Sequence, residues 1–169
     1  MNDSTDPLVA GTPAVELVAE LTARGQTVAT AESLTAGLLS ATIAGVPGAS
    51  AVLRGGLIAY ATELKAELAG VDRDTLAADG PVAATTAAEL AAGAASRCGA
   101  DWGIGLTGVA GPDPQDGKPV GTVFLAVAGP DGVHTRQLVV SGSRWQIRRD
   151  AVVEAVSDLL GRVRSDTAG

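Results

Sequence analysis

The stretch Gln26–Leu39, QTVATAESLTAGLL, constrains this 169-residue chain more than any other. Thr27-Val28-Ala29-Thr30 mixes β-branched and small residues and reads as a buried strand. From Leu34 through Leu39 to Ile43, apolar residues recur at helical spacing. A strand that turns directly into a helix places the residue at the turn beside unpaired N–H donors that favour an anion. Ser33 occupies that place. Taken by itself it reads as a helix N-cap; a nucleophilic reading requires partners from elsewhere in the chain.

The flanking segments repeat the alternation. Met1–Gly11 is polar and predicts a loose tail, with residues 1–12 outside the domain. Pro13 opens a helix whose apolar face is Val15, Leu17, Val18 and Leu21, and Gly25 ends it. A helix to about Gly45 and a loop over 46–50 follow. Ala51–Tyr60 predicts a strand in which Gly55-Gly56 marks a bulge or a close backbone approach. Ala61–Ala69 predicts a short helix closed by Gly70, Asp72 or Asp74 caps a further turn, and Gly80-Pro81 breaks the chain. Ala83–Arg97 is rich in helix formers and packs on a sheet. Trp102–Leu106, Val120–Ala128 and Val133–Val140 predict three more strands, the last two a hairpin about Gly129–Gly132. A helix over Arg144–Val163 turns Ile147, Val152, Val156 and Leu159 or Leu160 to the sheet, and residues 164–169 fray. The expectation is one domain over 13–163, a three-layer α/β/α sandwich on a mixed, mostly parallel five-stranded sheet.

Composition excludes several function classes. A net charge of -7 and 2% aromatic residues argue against nucleic acid or an anionic membrane as partner. One cysteine, Cys98, and one histidine, His134, leave no disulfide framework and no metal site at ligand spacing. No apolar run approaches a membrane span, and the start of the chain carries no signal pattern, so a cytoplasmic protein without metal or other cofactor is expected.

Three turns carry candidate chemistry: Glu32-Ser33, Tyr60 to Lys65, and Thr107–Gly111. In open α/β sheets ligands bind beyond the carboxyl ends of strands, so the three turns can meet at one site. A Ser-His-Asp triad lacks its histidine there. Lysine can replace it when neutral, which requires desolvation or a neighbouring cation to depress its pKa, and Arg144 is a candidate neighbour. Each residue also has a plain reading: Lys65 as a solvated helix lysine, Tyr60 as a strand-end tyrosine, and the glycines of 107–111 as a tight turn.

As a set, Ala29–Gly37, Gly56–Lys65, Thr107–Pro112 and Lys118–Val123 resemble the CinA C-terminal domain family, which includes nicotinamide-nucleotide amidohydrolases (NMN deamidases). The resemblance extends from about Val15 to Val163. It implies a metal-free Ser/Lys amidohydrolase that converts nicotinamide mononucleotide to nicotinic acid mononucleotide and ammonia in pyridine nucleotide recycling. Ser33 matches the family's serine, Tyr60 its tyrosine, Lys65 its lysine and Ser50 a second serine. Thr107, Gly108, Ala110 and Gly111 match its glycine-rich turn, and Arg144 its arginine. The family's usual Cys-Thr-Gly-Gly is Leu34-Thr35-Ala36-Gly37 here, and its Gly-Asp-Arg is Gly142-Ser143-Arg144.

On this reading neutral Lys65 activates Ser33, with Tyr60 or Ser50 as relay. The N–H groups of Leu34 and Thr35, at the start of the next helix, receive the oxyanion. The 107–111 turn and Arg144 hold the phosphate. A non-catalytic ligand- or partner-binding module, and an amidase for another small carboxamide, stand as alternatives. The alanine-rich helix over 83–95 offers a flat surface for a homo-oligomer.

Overall fold

The computed structural model describes residues 6–166. Among the described residues six α-helices and five strands follow in the order α1 Ala14–Arg24, β1 Val28–Glu32, α2 Leu38–Ala44, β2 Leu53–Ile58, α3 Thr62–Ala69, α4 Arg73–Asp79, α5 Ala84–Cys98, β3 Trp102–Gly108, β4 Thr122–Gly129, β5 Gly132–Val139 and α6 Arg144–Ser165. The strands lie in the order β2-β1-β3-β4-β5. β1 is parallel to β2 and β3, whereas β4 is antiparallel to β3 and β5, giving a mixed sheet with helices on both sides. None of the described helices is long and apolar enough to cross a membrane.

Alternation along the strands divides the core. Val28 on β1, Trp102, Ile104 and Leu106 on β3, and Val123, Leu125 and Val127 on β4 face α1, α2 and α6. The opposite face carries Ala29, Ala31, Ala126 and Ala128 beneath α5. On that face β3 offers Gly103 and Gly105, where an added Cβ would overlap the backbone oxygens of Ala91 and Ala87. α5 thus lies directly on β3, and the aromatic side chain of this face, Phe124, stands on β4. The buried small residues of α5, Ala87, Ala91 and Ala94, are used in that contact.

Several boundaries differ from the sequence reading. Residues 6–12 are not a loose tail. Asp6 Oδ1 accepts from the Leu8 N–H at 2.8 Å, Val9 is buried in the core, and Arg149 donates to the Ala10 carbonyl. Residues 1–5 and 167–169 lie outside the described residues, whereas Arg164 still belongs to α6 and donates to Glu20 at 3.2 Å. The helix expected from Leu34 begins only at Leu38, and Leu34–Gly37 forms a turn. The 46–50 loop ends in a 3-10 turn over Ala49–Ala51. Of the two candidate caps after Gly70, Asp72 accepts from the Asp74 N–H at 2.8 Å. Of the two readings of Gly55-Gly56, close approach holds, because a Cβ on Gly56 would overlap Ser40 Oγ and stand 2.7 Å from Thr30 Oγ1, whereas the irregularity in register with β1 falls one residue earlier, at Arg54.

Candidate active site

β1 delivers the serine. The Ser33 N–H donates to the Leu106 carbonyl at 2.9 Å, which carries the β1–β3 ladder one residue past the strand. The turn then closes through Ala36, whose N–H donates to the Ser33 carbonyl at 3.1 Å. Gly37, at φ 94, reverses the chain into α2. Fully buried Glu32 anchors the far side of this turn. Its carboxylate accepts from the Leu39 and Ser40 N–H groups at 2.9 and 3.0 Å, from Ser40 Oγ at 2.8 Å and from Thr30 Oγ1 at 3.2 Å. Ser33 is therefore not an N-cap. Glu32 takes the orphan N–H groups of α2 from a distance, and the Ser33 hydroxyl points elsewhere.

That hydroxyl meets Lys65. Side chains on a helix lean toward its N-terminus, so Lys65, four residues into α3, reaches back over the loop that precedes it. Its Nζ lies 3.0 Å from Ser33 Oγ, 2.9 Å from the Ala59 carbonyl and 3.3 Å from the Tyr60 carbonyl. The residue is 1% exposed, and each of these three partners is neutral. Burial pushes the amine down from 10.5 to about 8, against a small opposing pull from Glu63. Desolvation, and not a cation, supplies the depression; the neighbour role considered for Arg144 is not the one it plays.

Arg144 instead spans the rim. Its guanidinium donates to the Tyr60 hydroxyl at 2.9 Å and to the Gly111 carbonyl, joining the loops after β2 and β3. Ser143 and Gln146 form a capping box that starts α6 at this residue. Tyr60 is 55% exposed: its carbonyl supports Lys65, and its phenol belongs to the rim. Thr107 is buried and donates its hydroxyl to the Pro81 carbonyl at 2.6 Å, so it braces the wall. Gly108, Ala110 and Gly111 line the same cleft as Ser33, Leu34, Tyr60, Lys65 and Arg144, a cavity of about 100 Å³.

Ser50 is not part of it. β2 runs parallel to β1 with Leu53 opposite Val28 and Ile58 opposite Glu32. Exposed Ser50 precedes β2 and therefore sits at the amino end of these strands, whereas Ser33 follows their carboxyl end. About five residues of strand, on the order of 16 Å, separate the two ends.

The sequence reading missed two residues. Glu32 stood next to the serine without a role. Arg148 donates from Nε to the Leu34 carbonyl at 2.9 Å and from Nη2 to the Thr35 carbonyl at 3.1 Å. Its signal was its spacing: four residues beyond Arg144, it falls on the same face of α6. Among the described residues the N–H groups of Leu34 and Thr35 make no hydrogen bond. The arrangement combines an alcohol, an amine poised between charged and neutral forms, and free N–H groups, which suits nucleophilic attack on a carbonyl. A wider groove beside Trp102 contains Ser157, Asp158 and Ser165. Its serines bond back to the carbonyls of their own helix and Asp158 is held by Arg136 and Arg162, so it offers no such pair.

A family model described as the CinA C-terminal domain matches residues 11–163. A CinA-like protein of Frankia casuarinae is 53% identical over 143 residues, covering 85% of this chain and 33% of that protein. A putative competence-damage inducible protein of Streptococcus pneumoniae is 41% identical over 151 residues, covering 89% and 36%. This chain spans about a third of the length of these curated relatives. Among solved structures, the competence/damage inducible protein CihA from Agrobacterium tumefaciens superposes with a TM-score of 0.84 at 34% identity, covering 88% of this chain and 92% of its own. A CinA-superfamily protein from Escherichia coli superposes with a TM-score of 0.86 at 28% identity, covering 95% and 92%.

Proposed function

This chain belongs to the CinA C-terminal domain family, and from that premise we propose that it is an amidohydrolase that releases ammonia from the carboxamide of nicotinamide mononucleotide. One observation carries the proposal: a lysine amine withdrawn from water, with neutral hydrogen-bond partners, 3.0 Å from a serine hydroxyl at the carboxyl end of the sheet.

A neutral amine has two N–H donors and one lone pair. The carbonyls of Ala59 and Tyr60 take the two donors, and the lone pair is left for the Ser33 proton. After transfer the ammonium donates to all three neighbours, so both protonation states are satisfied. With a pKa of about 8, roughly a tenth of the molecules hold the neutral form near pH 7. Ser33 Oγ attacks the carboxamide carbon as its proton passes to Lys65. The oxyanion lies against the N–H groups of Leu34 and Thr35, where one donor is worth on the order of 3 kcal/mol. Lys65 returns the proton to the leaving nitrogen, the C–N bond breaks, and ammonia departs. Water then attacks the ester, Lys65 takes its proton, and the acid and free Ser33 are regenerated. The cavity holds the carboxamide end. The ribose phosphate lies across the rim, within reach of Arg144 and the 108–111 turn, and guanidinium suits a phosphate.

Incubation of chelator-treated protein with nicotinamide mononucleotide tests this. Equimolar ammonia and nicotinic acid mononucleotide support it. Ligand-induced thermal stabilisation without product would make the chain a binding module, and turnover of carboxamides regardless of phosphate would remove the rim from recognition.

A further inference from the structure

We propose that Arg148 sets the oxyanion-binding geometry of the Ser33 turn, acting through two main-chain carbonyls; this rests on the amidohydrolase reading above. The turn over Leu34–Gly37 is not helical, so no helix ladder orients its N–H groups. They need another constraint if they are to stabilise charge without reorganising.

In a planar trans peptide the C=O and the following N–H point in opposite directions. Arg148 Nε holds the Leu34 carbonyl and thereby turns the Thr35 N–H away from α6. Arg148 Nη2 shares the Thr35 carbonyl with the Leu38 N–H, which donates to it at 3.0 Å, and together they fix the next peptide so that the Ala36 N–H closes on the Ser33 carbonyl. That bond fixes the Ser33–Leu34 peptide and so the direction of the Leu34 N–H. One planar fork therefore governs both candidate donors, the two N–H groups that make no hydrogen bond among the described residues.

The placement of Arg148 fits this role better than a general structural one. It rises from α6 between buried Ile147 and buried Ala151, so its base is fixed. It forms no ion pair among the described residues, whereas Arg136 and Arg162 on the outer surface meet carboxylates. A half-buried cation directed at two neutral carbonyls is a poor stability device, and one of the two peptides it polarises, Leu34–Thr35, carries a candidate donor, the Thr35 N–H. Arg148 is a positioning residue: it acts on substrate only through the turn.

Arg148→Met, Arg148→Lys and Arg149→Met test the assignment, with ammonia release measured per folded molecule. Arg148→Met lowers kcat by about 100-fold, the usual consequence of losing an oxyanion donor, while KM moves less than about threefold. Arg148→Lys stays well below wild type, because one ammonium cannot grip both carbonyls as a fork does. Arg149→Met, whose guanidinium reaches Ala10 instead, keeps the wild-type kcat. Amide hydrogen exchange supplies a readout independent of turnover: Ala36 exchanges at least about tenfold faster in Arg148→Met while β3 amides are unchanged. Wild-type kcat in Arg148→Met, equal losses in kcat and binding, or unaltered Ala36 protection overturns the proposal. If wild-type protein releases no ammonia, the amidohydrolase reading falls, and the exchange of Ala36 alone then decides whether Arg148 orders the turn.

Discussion

Replacing Lys65 with methionine separates the cost of burying its charge from every other feature of the fold. The amine falls from 10.5 in the unfolded chain to about 8 in the folded one, a difference worth about 3 kcal/mol. Between these two values the unfolded chain binds the extra proton, so the stability of the wild type rises with pH. The penalty is fully present below about pH 8, fades as pH climbs toward 10.5 and is absent above it. Near pH 7 the wild type carries about 3 kcal/mol of this penalty and near pH 9.5 about 1 kcal/mol, whereas methionine carries none. The stability of the wild type relative to Lys65→Met therefore rises by about 2 kcal/mol over that interval. Methionine also leaves the Ala59 and Tyr60 carbonyls without their donor, a loss that offsets both measurements equally. Urea unfolding followed by Trp102 and Trp145 fluorescence at the two pH values gives the difference directly, and other titrating groups cancel because both proteins contain them. Parallel pH dependence of the two proteins would refute a depressed Lys65.

Three further outcomes follow from the same geometry. The kcat/KM for ammonia release climbs about tenfold per pH unit below the Lys65 value of about 8 and levels off above it; a flat profile across that range removes Lys65 as base. Gly105→Ala drives a Cβ into the Ala87 carbonyl and within 2.6 Å of the Ala91 nitrogen, costing roughly 3 kcal/mol in thermal unfolding, whereas Gly161→Ala, with nothing within 4 Å, gains about 0.5–1 kcal/mol. Glu32→Gln keeps one accepting oxygen but sets an amide NH2 against either the Leu39 or the Ser40 N–H, and lowers stability by about 2 kcal/mol, measured by chemical denaturation; an unchanged midpoint would deny Glu32 its anchoring role.

The alternation of strand and helix, and with it the meeting of three strand ends, was legible because parallel strands align their carboxyl ends. Lys65 was legible for a similar reason: a helix that starts one residue after Ala61 points its fourth side chain back over the strand end. What escaped was set by long-range partners. The apolar spacing from Leu34 onward resembled a helix because the turn also buries Leu34. Nothing nearby announced that Glu32, several residues upstream, would take the N–H groups of Leu39 and Ser40 and postpone the helix to Leu38. Ser50 was included for its likeness to a second serine, yet the parallel register of β2 sends its start to the opposite end of the sheet. Arg148 depends on how α6 crosses the turn, which is a tertiary fact, although its spacing from Arg144 already placed the pair on one face.

The comparison of ammonia release from nicotinamide mononucleotide by wild-type protein and by Ser33→Ala, at equal folded concentration near pH 8, bears most directly on the serine–lysine pair. The account predicts product from the wild type and a loss of roughly 10⁴-fold or more in the variant. Equal rates in the two proteins would contradict it.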